Sequence, residues 1–340
     1  MKAALLKNWN ELALTDIAKP TINNTEALIK VRYGGICGSD ITVYSGKHPT
    51  AIVPVVLCHE ILGTIEELPS GYKGKFDIGA RVLMNPVISC GTCNACKSGY
   101  YNVCANLKLL GIHVNGGFAE YTKVNVDKLV KVSPSISDKV AALGEPFAVA
   151  YHVNSRAGIQ AGEPVLIIGA GTIGIVVALV ARELGALVTI SEINPERLQL
   201  AANLGFGTIN SSKVDIMAET KKLTNGDGFD VVCDASGSKA GALMLPDLGR
   251  IGGKLLSLGL SGLPFEFVLG KVSFKEQTLN GSRLYSQEHF MSGIKMLEAI
   301  SRKYDLSSII SDEMPLSQII EGIEKMKAGK NVGKILIKCN

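Results

Sequence analysis

Four of the chain's eight cysteines fall within fifteen residues, as Cys90, Cys93, Cys96 and Cys104 in the run C-x2-C-x2-C-x7-C. The segment they punctuate, GTCNACKSGYYNVC, is rich in Gly, Asn, Ser and Lys and has no apolar period, so it reads as a loop. Four thiolates can close a tetrahedral zinc site with no open position, which marks a structural metal. A loop gains most from such a staple, because the binding free energy offsets the entropy of ordering it. Two other readings use the same residues. The bacterial iron–sulfur run has three residues before its fourth Cys and a Pro after it, whereas here seven precede Cys104 and Ala105 follows. Disulfides need an oxidising compartment, and the other cysteines (Cys37, Cys58, Cys233, Cys339) are scattered as in a reduced cytosolic protein.

A chain of 340 residues is too long for one ordinary core and suits two domains. With 46% hydrophobic and 19% charged residues it describes a well-buried globular protein. The net charge of +4 is small and no basic stripe stands out, which gives nucleic-acid binding little support. No uninterrupted stretch of eighteen apolar residues suggests a membrane span. The opening MKAALLKNWNEL has too short an apolar run for a secretory signal. The expectation is a soluble cytoplasmic protein.

The first half is strand-like and turn-rich, as in EALIKVRYGGI, GARVLMNPV and GGFAEYTKV. Near residue 140 the texture changes, and DKVAALGEPFAVAYHVNSRAG carries apolar residues at helical spacing with Asp138 placed to cap its start. After Gly162 short apolar strands (PVLIIGA, LVTISEI, FDVVCDAS, KLLSLGL) alternate with the helical segments IGIVVALVARELG, PERLQLAANLG and one around MAETKKL. That rhythm means a parallel sheet covered on both faces, an α/β architecture. Two helical stretches, EHFMSGIKMLEAISR and LSQIIEGIEKMKAG, and a final strand, GKILIKC, complete the chain. The expected division is a β-rich domain over 1–149, a dinucleotide-type domain over 150–286, and a segment over 287–340 returning to the first domain.

Gly169-Ala170-Gly171-Thr172-Ile173-Gly174 follows the strand VLII and opens a helix. Gly169 suits the tight turn, Gly171 lets backbone approach a pyrophosphate, and Gly174 permits close helix–strand packing. The first helical residues, Thr172 and Ile173, would offer free N–H groups to the phosphates. Glu192 ends the next strand about twenty residues on, where a carboxylate would accept hydrogen bonds from both ribose hydroxyls and repel a 2′-phosphate, favouring NAD over NADP. Arg197 nearby is the cation that weakens this preference.

Two further candidate ligands precede the thiolate run, Cys37 in GICGSD and His59 in Cys58-His59-Glu60. A lone Cys is usually a small core residue and a lone His a hydrogen-bonded one. Acidic neighbours change that weighting. Glu60 follows His59, and Glu145 sits in an otherwise apolar stretch, where a buried carboxylate needs a cation or a strong donor facing it. Cys, His and a carboxylate with an open position is the recipe for a catalytic zinc.

Cys37-Gly38-Ser39-Asp40, His59-Glu60, the thiolate loop, Gly116-Gly117-Phe118-Ala119-Glu120-Tyr121, Glu145-Pro146 and the Gly169–Gly174 loop together resemble the zinc-containing medium-chain dehydrogenases of the alcohol, sorbitol and threonine dehydrogenase group. The resemblance implies a GroES-like catalytic domain joined to a Rossmann domain, two zinc ions per chain, and NAD. It makes Cys37 and His59 catalytic-zinc ligands, Glu145 the carboxylate that ligates that zinc or its water, Glu60 a residue that can exchange onto the metal, and Ser39 the hydroxyl that relays the alcohol proton. Relatives are usually dimers or tetramers joined through their Rossmann sheets. Two departures stand out. Cys58 replaces the usual Gly before the His, and Thr42 stands where many relatives carry a relay His, leaving Lys47, His48 or a water chain to finish the path.

The substrate is less constrained. Asn280-Gly281-Ser282-Arg283 resembles a feature of relatives acting on sugar acids, and Arg283 could clamp a carboxylate bidentately. It reads equally as a surface residue or a cofactor-phosphate contact. A Glu as third ligand leans towards polyols. The expected activity is oxidation of a polyol or sugar acid (a hexonate) to its ketone, with L-threonine 3-dehydrogenation, or a non-catalytic nucleotide-binding relative, as the alternatives.

Overall fold

The computed structural model describes residues 1–259 and 264–340. The chain divides into two compact units, one of residues 1–145, 285–301 and 305–340, the other of residues 146–284 and 302–304. The first is therefore discontinuous in sequence, with most of the second inserted into it.

The first unit is built on a seven-stranded sheet whose centre is the long strand Glu26–Gly35. This strand pairs antiparallel with Glu60–Glu67 along one edge and, near its end, with the C-terminal strand Lys334–Lys338 along the other; Tyr121–Asn125 pairs with its beginning. The reason lies in its side chains. Ala27, Leu28, Ile29, Val31 and Tyr33 are all buried, so β-branched and aromatic residues fill both faces of a central strand. Each apolar side chain of that size withdrawn from water contributes about 1.5–3 kcal/mol. The C-terminal strand KILIK is apolar for the same reason, with Ile335, Leu336 and Ile337 at 0–1% exposure.

The second unit is a six-stranded parallel sheet. In space its strands run Gly207–Asn210, Leu187–Glu192, Pro164–Ile168, Phe229–Asp234, Gly249–Ser257 and Thr278–Gly281, which in order of appearance is 3-2-1-4-5-6. That is the doubly wound Rossmann order, whose strand order reverses beside the first strand. Helix Thr172–Glu183 carries an unbroken buried run from Gly174 to Ala181, so it reads as a fully covered helix. The expected α/β class and Rossmann sheet hold. The strand reading KLLSLGL ends at Leu260, which lies outside the described residues.

The stretch expected to be one helix from Asp138 is two, Asp138–Ala141 and Gly144–Ala157. Asp138 does not cap it. Ser137 does, its side chain accepting from the Val140 N–H at 3.3 Å, while Asp138 accepts from Arg81 at 2.7 Å and pairs with Arg32. A carboxylate facing two guanidinium groups is better used there than on a backbone amide. Among the described residues no helix is long and apolar enough to cross a membrane.

Candidate metal centre and dinucleotide loop

Strand register assembles the first site. Gly35 pairs directly with Glu60 across the antiparallel ladder, so Cys37, two residues beyond one strand, and His59, one residue before the other, emerge at the same end of the sheet. One sulfur, nitrogen or carboxylate oxygen from each of Cys37, His59 and Glu60 lies within 4.8 Å of the others. Gly35 makes room for this. A Cβ there would stand 2.2 Å from Glu60 Oε2.

Around these three the pocket is buried and rich in carboxyl groups. Asp40, Glu60 and Glu145 are 0–3% exposed, and His59 is 7% exposed. Burial pushes the Asp40 carboxyl up. It pushes Glu145 up to about 7, helped by the neighbouring Glu60 charge and opposed by His59. Burial also works against charging His59, yet the Cys37 thiol, then Asp40 and Glu145, outweigh it and raise the imidazole well above its usual value. The anions thus favour positive charge at the imidazole. Glu60 Oε2 and His59 Nδ1 are buried without a hydrogen-bond partner, the latter 3.8 Å from Asp40 Oδ1. A soft sulfur, an imidazole and a carboxylate converging in a carboxyl-rich pocket with an unpaired acceptor fit a zinc ion.

Ser39 is half-buried, with Oγ 3.5 Å from His59 Nε2. Asp40 locks the local backbone, accepting from the Cys37 N–H at 2.8 Å and the Cys58 N–H at 3.3 Å. Glu145 is not one of the three converging ligands. Its Oε1 accepts from the fully buried Tyr285 hydroxyl at 2.6 Å, the strong donor that a buried carboxylate requires. The Thr42 hydroxyl donates to the Ser39 carbonyl at 2.8 Å. His48 accepts from the Thr50 N–H and stands edge-on to His113.

The thiolate loop is ordered around its sulfurs. Cys90 and Cys104 Sγ stand 3.4 Å apart, Cys93 and Cys96 3.5 Å, and Cys93 and Cys104 3.8 Å. Ligands at Zn–S bond length around a tetrahedral centre would be separated by about 3.8 Å. Backbone N–H groups of Cys90, Cys93 and Asn106 point at these sulfurs at 3.3–3.4 Å. The Thr92 and Cys93 amides pull the Cys90 thiol down to about 5, whereas burial and its neighbour Cys93 push Cys96 up to about 12. Crowded thiols cannot all ionise unless a cation joins them, and the described cysteines form no disulfide.

In the second unit Gly169 adopts φ +101°, directly after strand Pro164–Ile168. Gly171 caps helix Thr172–Glu183, and a Cβ on it would meet only open space, whereas a Cβ on Gly174 would stand 1.9 Å from the Gly169 carbonyl. Thr172 and Ile173 are half-buried in the first helical turn. Glu192 ends the adjacent strand, and its carboxylate accepts from the Ala170, Ile193 and Asn194 amides at 2.8–3.0 Å. It therefore braces the glycine loop itself, which the sequence did not announce. Arg197 lies in the first turn of helix Pro195–Asn203, its N–H capped by Asn194.

Residues 23–134 match the family model of the alcohol dehydrogenase GroES-like domain, and residues 172–299 that of the zinc-binding dehydrogenases. An L-threonine 3-dehydrogenase of Rhizobium etli is 34% identical over 99% of this chain and 98% of its own length. The chain belongs to the zinc-binding medium-chain dehydrogenases. Among solved structures, a zinc-binding dehydrogenase of Sinorhizobium meliloti bound to NADP superposes with a TM-score of 0.90 at 29% identity, covering 99% of this chain and 98% of that one. L-idonate 5-dehydrogenase of Escherichia coli does so with 0.90 at 26% identity, covering 99% and 97%.

Two buried residues that no motif marks reach this cluster. Lys334, 3% exposed, donates from Nζ to Glu60 Oε1 at 2.6 Å and to the Ile36 carbonyl at 3.0 Å. Burial alone would push its ammonium down, but the Glu60 carboxylate and the Cys37 thiol outweigh that, and the shift is upward. Tyr285 and Lys334 lie 140 and 274 residues from their partners. The only hint of Tyr285 is the need of Glu145 for a donor; a lysine opening an apolar strand gave none.

Proposed function

We propose that this protein is an NAD-dependent zinc dehydrogenase that oxidises a secondary alcohol of a polyol or sugar acid to the ketone. The observation that carries the reading is the convergence of Cys37, His59 and Glu60 in a buried, carboxyl-rich pocket. Those residues, with Glu145 beside them, would hold the catalytic zinc, and Cys90, Cys93, Cys96 and Cys104 a structural one. Bound zinc supplies Lewis acidity, which makes an alcohol proton easier to lose near neutral pH. Ser39 stands within reach of the imidazole to take up that proton and pass it outward. Asp40 fixes the backbone on both sides of the site through the Cys37 and Cys58 amides. Tyr285 holds one oxygen of Glu145 by donating its hydroxyl proton to Oε1.

Gly169, Gly171, Thr172, Ile173 and Gly174 form the phosphate cradle of this reading. Glu192 supports NAD, because a buried carboxylate repels a 2′-phosphate, even though the S. meliloti relative was solved with NADP. Arg283 is the candidate clamp for a substrate carboxylate in this reading, because its guanidinium can meet a carboxylate bidentately. The likeness to L-threonine 3-dehydrogenases favours a second reading, in which the substrate is that amino acid. Threonine and a hexonate share a secondary alcohol and a carboxylate, so Arg283 serves either.

The test is a panel of polyols, hexonates and threonine, assayed for NADH and NADPH formation, with zinc measured on the same sample. Turnover of a hexonate or polyol with NAD and two zincs per chain supports the reading. Turnover of threonine alone supports the second. One zinc and no turnover overturns both.

A further inference from the structure

Lys334 reaches the metal pocket from the far end of the chain. Leu336 pairs with Gly35, and the Ile36 N–H donates to the Ile335 carbonyl at 3.0 Å, so the antiparallel register sets Lys334 beside Cys37. Its ammonium divides between the Ile36 carbonyl, one residue before Cys37, and Glu60 Oε1. The bond to the carbonyl anchors the cation to the backbone that carries Cys37, so its position does not depend on Glu60. The Glu60 carboxylate has its other oxygen, Oε2, buried and without a partner. Removing one member of so deeply buried a pair leaves the other charge uncompensated.

A metal held by Cys37 and His59 and the Lys334 ammonium would therefore face one carboxylate. We propose that Lys334 competes with the catalytic zinc for Glu60, as a positioning residue that keeps this carboxylate from closing the metal's open position. The inference rests on the reading that Cys37 and His59 hold that zinc. With a neutral side chain at 334, a bound zinc takes over the compensation of Glu60, and the carboxylate becomes a permanent ligand. Lys334 itself touches neither substrate nor cofactor in this account.

The experiment uses the zinc-loaded protein and four variants, Lys334→Met, Lys334→Arg, Glu60→Gln and the double variant Lys334→Met/Glu60→Gln. Zinc release to a chromogenic chelator is followed, and Cys37→Ala identifies the phase that belongs to the thiolate loop. The catalytic zinc is expected to leave Lys334→Met about ten-fold more slowly than wild type, in line with the effect of outer-shell partners on metal affinity. Lys334→Arg should release it at the wild-type rate. In the cobalt-substituted protein, imidazole should shift the visible absorption of wild type but not of Lys334→Met. Release from Lys334→Met that is unchanged or faster, with an imidazole response retained, overturns the proposal. Should Lys334→Met fail to fold, the neutral pair decides. Glu60→Gln and the double variant release zinc equally if Lys334 acts through Glu60, and unequal rates overturn it. A wild-type protein that takes up one zinc only overturns the metal reading itself, which is a separate result.

Discussion

Cys58 holds φ +87°, a left-handed backbone that costs a residue with a Cβ of order 1–3 kcal/mol. Its surroundings leave no alternative. Its N–H reaches Asp40, and a Cβ on Gly116 would stand 1.9 Å from its carbonyl, so the glycines around it press on its backbone. At an ordinary buried site Cys→Gly is worse than Cys→Ala. Here the order should invert, with Cys58→Gly more stable than Cys58→Ala by about 1 kcal/mol in urea unfolding. The opposite order would mean that the backbone relaxes out of the left-handed region. At Tyr285, removing the hydroxyl leaves Glu145 Oε1 buried without its donor. Tyr285→Phe should therefore cost about 1–3 kcal/mol, and most of that loss should vanish in a Glu145→Gln background. Cys37, His59 and Glu60 were legible because each sits in a short motif with its own chemical oddity. Tyr285 and Lys334 were not, because what makes them matter is a partner supplied by strand register far along the chain.

The loop carrying the four thiols has little apolar surface to hold it, with Tyr100, Tyr101 and Val103 exposed, so a metal is its natural staple. Cys96→Ser should lower the zinc content by one ion per chain and make the chain between residues 90 and 104 the first place cut by a protease. Cleavage elsewhere at the same rate as wild type would argue that packing, not metal, orders it. The strand Ile310–Pro315 has an electrostatic tie instead. Glu313 accepts from Tyr33 at 2.6 Å and pairs with Lys139, first Lys139 and then Tyr33 holding its carboxyl below the ordinary 4.5. With the folded value depressed, the unfolded chain binds more protons between the two values, and stability rises with pH there. The contribution is whole above the ordinary value and fades as pH falls through the depressed one. Glu313→Gln should flatten that acid limb of the stability profile while leaving the slope near neutrality as it was. Strand–helix alternation after Gly162 was readable because buried parallel strands are short apolar runs between long amphipathic helices. The break at Ala142 and Leu143 was not, since apolar spacing is continuous through it and only tertiary packing ends the first helix.

At the level of the molecule, the strand Thr278–Gly281 lies at the end of the parallel sheet, and Phe274, Ile251 and Leu269 near it are exposed, Phe274 at 93%. An open strand edge with large apolar neighbours is a pairing surface. Two copies joined along this edge are the expected assembly, and Phe274→Glu with Leu279→Glu should halve the mass measured by light scattering. An unchanged mass would place the interface elsewhere. The sequence changes texture near residue 140, and the first compact unit breaks after Glu145. The reach of the last strand to the cluster of Cys37, His59 and Glu60 was not legible, because apolar alternation names no neighbour. That strand also imposes an order of assembly. Glu60 and its lysine are separated by 274 residues, and most of the Rossmann unit is synthesised between them. As the chain leaves the ribosome, the pocket's anions emerge long before their balancing ammonium. The GroES-like unit must wait, with the end of its central strand flanked on one side only, until the other unit has been made.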